Sequence, residues 1–181
     1  VFDVERLKFF NAHYLKTLEI SEVYTKLLTY LEKYDIDFYN TLQKFPKEYN
    51  INILNELKTR MKKFNEFKEL SSFFFNDSKI AQDELFINPK MKITDMSVVR
   101  DSLELTKKIL EDITNSLETV QEIKDVFVQE IKSADMKNGQ VLWPARVALS
   151  GEEFSPGTLE MIYLLWRDKS LERINNVLKN I

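Results

Sequence analysis

The stretch Asn138-Gly139-Gln140-Val141-Leu142-Trp143-Pro144-Ala145-Arg146-Val147-Ala148-Leu149-Ser150-Gly151-Glu152-Glu153-Phe154-Ser155-Pro156-Gly157-Thr158 holds all three glycines of a 181-residue chain, two of its four prolines and one of its two tryptophans. Both residue types are unfavourable inside helices, glycine through backbone entropy and proline through its missing N–H. Their clustering reads as punctuation between helices. A short helix is expected to enter through Pro144 near its first turn and to stop at Gly151, which takes the left-handed conformation of a helix end without a side-chain clash. Ser155 then reads as the N-cap of the next helix, with Pro156 as its first residue.

Apolar spacings of three and four extend this pattern in both directions. Towards the C-terminus, Met161, Leu164 and Leu165 face a core until Asp168 caps a last helix carrying Leu171, Ile174 and Leu178. Towards the N-terminus, helices are expected over 3–18, with Asp3 as cap and Leu7, Phe10, Tyr14 and Leu18 in register; after Ser21, with Val23, Leu27, Leu28 and Leu31 on one face; and over 36–45, ended by Pro46. One long helix is predicted over 52–74, its apolar stripe running from Ile53 to Phe74. Its other positions carry Lys58, Arg60, Lys62, Lys63 and Lys68, a basic set that reads either as solvated charge or as a polyanion contact. Periodicity lapses over 76–93, which places a junction near residue 80. Further helices follow over 95–113, capped by Thr94, and over 117–133, capped by Ser116. No strand run or internal repeat is found, and the expected fold class is all-α.

Composition narrows the chemistry. With no cysteine there is no thiolate metal site, disulfide or cysteine nucleophile, and His13, the single histidine, cannot make a two-histidine metal motif. It reads as an ordinary helix-face residue. Neither a Walker loop nor a Gly-x-Gly-x-x-Gly pattern occurs. No run of 18 apolar residues and no signal-like N-terminus is present, so a soluble chain of the cytoplasm or an organelle matrix is expected, with no membrane partner. The formal net charge of −3 means that any nucleic-acid partner has to be held by local contacts.

The run Pro144-Ala145-Arg146-Val147-Ala148-Leu149-Ser150-Gly151, then Ser155-Pro156-Gly157, then Leu164-Leu165-Trp166-Arg167-Asp168-Lys169 resembles the C-terminal end of bacterial-type glutamyl-tRNA synthetases. Phe2-Asp3 with Leu7-Lys8, Asn11 and Tyr14-Leu15 is similar to the segment after that family's Lys-Met-Ser-Lys-Ser loop. Leu57 to Arg60 and Leu70 to Phe75 are similar to its first anticodon-binding helix. The resemblance implies a fragment without catalytic residues: the end of a stem-contact region (1–35) and two consecutive helical anticodon-binding subdomains (36–80 and 81–181) of the α-helical cage type. ATP and Mg belong to the family's missing catalytic domain, and no cofactor or metal is implied for the fragment. Its implied partners are the anticodon loop of tRNA(Glu) and the N-terminal catalytic half of the same polypeptide, and a monomer is expected.

By motif match, Arg146 corresponds to an anticodon-contacting arginine, and Ser155, Pro156 and Thr158 to neighbouring contacts. Trp143 reads equally as core or as a stacking platform beside Arg146. Arg60 corresponds by position to a reader of the third anticodon base. Trp166 stands where the family has Gly, so the turn between the last two helices is expected to form without positive φ. The alternative to RNA binding is a helical scaffold that docks a partner protein through an amphipathic face.

Overall fold

A computed structural model describes residues 4–76, 81–113 and 119–181. Among these residues the chain forms ten α-helices, with an isolated bridge between Asn88 and Ile93 as its only β pairing. It divides into two compact units, Val1–Asn76 and Asp77–Ile181. Asp3 and Ser116, expected as caps, lie outside the described residues.

The first unit contains α1 (Val4–Thr17), α2 (Ile20–Tyr34), α3 (Ile36–Leu42), α4 (Lys47–Leu57) and α5 (Glu66–Phe75). Val23, Leu27 and Leu31 of α2 pack in one core with Phe38, Leu42, Ile53, Leu57 and Phe67, as their helical spacing requires. Buried Asn50 fastens this core, its Nδ2 donating to the Leu42 carbonyl at the end of α3 (3.0 Å) and to the Tyr24 hydroxyl (3.4 Å). The α3 N-terminus is capped by Asp35, which accepts from the Phe38 amide and pairs with Lys68 at 2.7 Å. That lysine hydrogen bond is the main reason the Asp35 carboxyl is held below its ordinary pKa.

Two expectations fail in this unit. The helix predicted over 52–74 is two helices, α4 and α5, joined by a turn at 58–65. The apolar spacing continues through the break because Met61 is buried from within the turn. The turn closes on the Glu66 carboxylate, which accepts the Lys62 amide at 2.6 Å and the Lys63 amide at 3.4 Å. On α1, Leu15 is buried whereas Phe10 and Tyr14 of the expected stripe are exposed.

The second unit contains α6 (Asp83–Phe86), a 3₁₀ turn (Pro89–Met91), α7 (Met96–Asp112), α8 (Val120–Ser133), α9 (Asn138–Ser150) and α10 (Thr158–Leu178). Val99, Leu103 and Ile109 of α7 share its core with Val141, Ala145 and Ala148 of α9 and Met161, Leu165 and Ile174 of α10. The cap of α7 is Asp95 and not Thr94, because the Asp95 carboxylate reaches the Ser97 amide at 2.9 Å while the Thr94 hydroxyl donates to that carboxylate. Helix α8 starts three residues later than predicted, at a capping box in which Thr119 and Glu122 satisfy each other's amides.

The 138–158 stretch also folds differently in detail. Helix α9 begins at Asn138, so Gly139 lies in its first turn and Pro144 in its interior. A Cβ on Gly139 would meet the Met91 sulfur at 2.5 Å, so any other residue there would require the flexible, partly exposed Met91 side chain to move aside. Gly151 ends the helix at φ 71°, its amide donating to the Val147 carbonyl at 2.8 Å, as the sequence predicts. Helix α10 begins at Thr158 with Gly157 at the N-cap, two residues beyond the expected start at Ser155-Pro156.

The last helix is broken at Trp166, which adopts φ 64° and ψ 164°. Positive φ is therefore used where the sequence reading expected a turn without it. This conformation is essentially glycine-only and costs a side-chain-bearing residue about 1–3 kcal/mol. The Trp166 side chain is 69% exposed, so little burial offsets that cost. Trp166→Gly is expected to raise the unfolding free energy by about 1 kcal/mol, after the extra chain entropy of glycine is subtracted. Urea denaturation of the two proteins checks this, and equal midpoints would refute the strain.

Candidate nucleic-acid interface

All the candidate residues except Arg60 lie around the C-terminal half of α9 and the segment 151–158. Trp143 and Arg146, three apart on one helix, meet as neighbours do at that spacing. The Arg146 guanidinium lies over the Trp143 ring, 4.4 Å from its centroid, within the range of a cation–π contact. Both side chains are half-buried. The indole is fixed from its other end, since Trp143 Nε1 donates to the Leu85 carbonyl of α6 at 3.1 Å. Trp143 thus anchors α6 to α9 and carries the arginine on its ring.

Arg146 Nη2 also donates to the Glu153 carbonyl at 3.0 Å, drawing the 151–157 segment over the helix end. The Ser150 hydroxyl holds the start of the same segment by accepting the Glu152 amide at 3.2 Å. Phe154 follows the Arg146-bound carbonyl and is 77% exposed. No sequence argument singled it out. Its signal is faint, a single large apolar residue between two glutamates and a Ser-Pro turn.

The other expected contacts lie deeper. Pro156 is buried, and Ser155 is half-buried with its hydroxyl donating to the Pro156 carbonyl at 3.3 Å. Thr158 is 6% exposed, and its hydroxyl donates to the Leu142 carbonyl at 2.7 Å, which fixes the start of α10 against α9. The space a Cβ would fill at Gly157 is occupied by the flexible Glu160 carboxylate. Arg60 belongs to the first unit, in the turn after α4, where it pairs with Glu56 at 3.9 Å.

Two further arginines have structural work. Arg167 donates from Nε to the Leu110 carbonyl (2.8 Å) and from Nη2 to the Glu111 carbonyl (3.0 Å), closing the C-terminus of α7. Buried Arg173 donates from Nη1 to the Leu149 carbonyl at the end of α9. A cation is favourable at such a terminus, where unpaired carbonyls concentrate negative potential. Among the described residues no group of three metal-ligating side chains is assembled, and no helix is long and apolar enough to cross a membrane.

The arrangement is a planar cation held on an aromatic face beside an open, fixed loop. The family model described as "Anticodon binding domain" matches residues 19–178. The chain belongs to this anticodon-binding domain family. It is 32% identical to the glutamate–tRNA ligase of Clostridium botulinum strain Hall over 96% of its own length and 33% of that protein's. The corresponding ligase of Clostridium acetobutylicum is also 32% identical, over 96% of this chain and 34% of its own. The chain therefore spans about a third of the length of the curated relatives it matches, and it corresponds to their C-terminal, non-catalytic region. A crystal structure of a glutamate tRNA ligase from Elizabethkingia meningosepticum superposes on 98% of this chain with a TM-score of 0.75, covering 32% of that protein at 17% identity. That likeness establishes a shared all-α fold for this family member.

The Thr158 tie is testable directly. Thr158→Val keeps the shape and removes the hydroxyl donor, and is expected to lower the unfolding free energy by about 1 kcal/mol. Thermal unfolding of the variant measures the loss; an unchanged transition would show that the bond to Leu142 does not hold the start of α10.

Proposed function

We propose that the chain is the anticodon-binding region of a glutamate–tRNA ligase and that the Arg146–Trp143 stack reads a base of the tRNA(Glu) anticodon. The observation that carries this reading is the guanidinium set 4.4 Å over the indole ring beside the exposed residues 152–154. Anticodon bases are splayed from a single-stranded loop, and such bases are recognised by stacking on planar side chains and by hydrogen bonds to their edges. An arginine offers both, with donors in one plane and faces that stack. The aromatic ring beneath it restricts its rotamers before the RNA arrives.

The remaining residues take two kinds of role. Ser155 and Phe154 stand at the open side of the segment, while Pro156 and Thr158 act from beneath it by fixing where α10 starts. ATP, Mg and bond formation belong to the remainder of such a ligase; this chain positions RNA. Phe9, at 71% exposure, and Phe10, at 46%, form an apolar surface on α1 suited to a protein contact, and the catalytic half of the same polypeptide is the partner proposed for it.

Arg146→Ala is expected to reduce the preference for tRNA(Glu) over an unrelated tRNA by about tenfold or more, while weak salt-sensitive binding persists. Filter binding at two salt concentrations measures both quantities. Equal selectivity in wild type and variant would remove the base-reading assignment. For Arg60, Arg60→Gln is expected to relax discrimination against tRNA(Gln), and an unchanged ratio of the two affinities would retire that residue.

A further inference from the structure

The first unit contains a groove of about 600 Å³ between α1, α2 and the 58–65 turn. Its size is that of small-ligand clefts. Tyr30 and Phe64 form an aromatic wall, their ring centroids 5.9 Å apart at 39°. Lys62 and Lys63, both exposed, stand at its rim on the turn that buried Met61 pins to the core. The Glu66 carboxylate engages the backbone amides of these lysines. Among the described residues neither Lys62 nor Lys63 has its ammonium in an ion pair. Lys26, also at the rim, is held by Glu22 at 3.4 Å.

From this geometry we infer that the groove binds one unstacked nucleotide of an RNA chain, its base against Tyr30 and Phe64 and its flanking phosphates on Lys62 and Lys63. An aromatic wall takes the face of any base without reading its edge, and adjacent ammonium groups neutralise phosphates without sequence preference. Charge complementarity selects the occupant, since an apolar peptide would leave the two lysines unmatched and an acidic one would leave the aromatic wall without a planar partner. The site contributes affinity, in contrast to the selectivity assigned to Arg146. It rests on the RNA-binding reading for the identity of the chain that supplies the nucleotide.

The test measures binding of a tRNA(Glu) transcript to the whole chain across a series of KCl concentrations, with three variants alongside wild type. Removing two phosphate contacts lowers the slope of log affinity against log salt by about 1.4, at about 0.7 per phosphate on single-stranded RNA, and Lys62→Gln with Lys63→Gln is expected to do so. Tyr30→Leu keeps apolar bulk but removes the ring face; it is expected to weaken binding about tenfold with the wild-type slope, equally for matched and unrelated tRNA. Ultraviolet crosslinking followed by peptide mapping is expected to place a nucleotide adduct within 26–34 or 62–68. An unchanged slope in the lysine variant, unchanged affinity in Tyr30→Leu or a crosslink confined to the second unit would each overturn the site. Arg146→Ala separates the two proposals. If it abolishes selectivity while the groove variants bind as wild type, the groove fails alone; if it is silent while they lose affinity, the anticodon assignment fails alone.

Discussion

The second unit depends on one constraint: α10 has to fasten the ends of two other helices and the start of its own within a single 21-residue element. Thr158 ties its first turn to the Leu142 carbonyl, Arg167 closes α7 and Arg173 closes α9. The break at Trp166 falls between the first tie and the other two, and its φ of 64° is strained for a residue that carries a side chain. A helix-end carbonyl without a partner is costly where water cannot reach it, and buried Arg173 supplies that partner at the Leu149 end of α9.

This constraint also decides how the arginines are used. The chain has six, and two of them serve as helix-end caps in the second unit. Arg146 sits at the end of the same helix that Arg173 closes, and it bridges from the Trp143 ring to the 151–157 segment. On the proposed reading, the buried caps hold the loop in place and the half-buried arginine uses it. A chain of net charge −3 repels polyanions at long range, so on the same proposed reading recognition rests on such local arrangements and on lysines displayed without acidic partners.

Much of the architecture is legible in the sequence because it follows from periodicity. The α2 stripe Val23, Leu27, Leu31 is buried as its spacing requires, and Gly151 ends α9 at positive φ, where glycine alone is free of a Cβ clash. The errors share a cause. The break at 58–65 is invisible because Met61 keeps the apolar rhythm while the backbone leaves the helix. The start of α10 slips from Ser155 to Gly157 because the Thr158 hydroxyl is taken by Leu142 across the unit, and a local capping rule cannot anticipate that bond. Phe154 and the Tyr30–Phe64 wall escaped notice because aromatic residues read as core until their surroundings are known.

The sequence by itself determined that the chain is all-α, where most helices run, and which short stretch would carry special backbone geometry, since each of these depends on neighbours within a few positions. Only the tertiary structure decided that the turn at Trp166 takes positive φ, that Thr158 acts from below the surface, and that Arg146 rests on an indole anchored at Leu85. Those outcomes depend on partners 16 and 58 residues away in the chain, and on competition for unpaired carbonyls that exists only once the helices have packed.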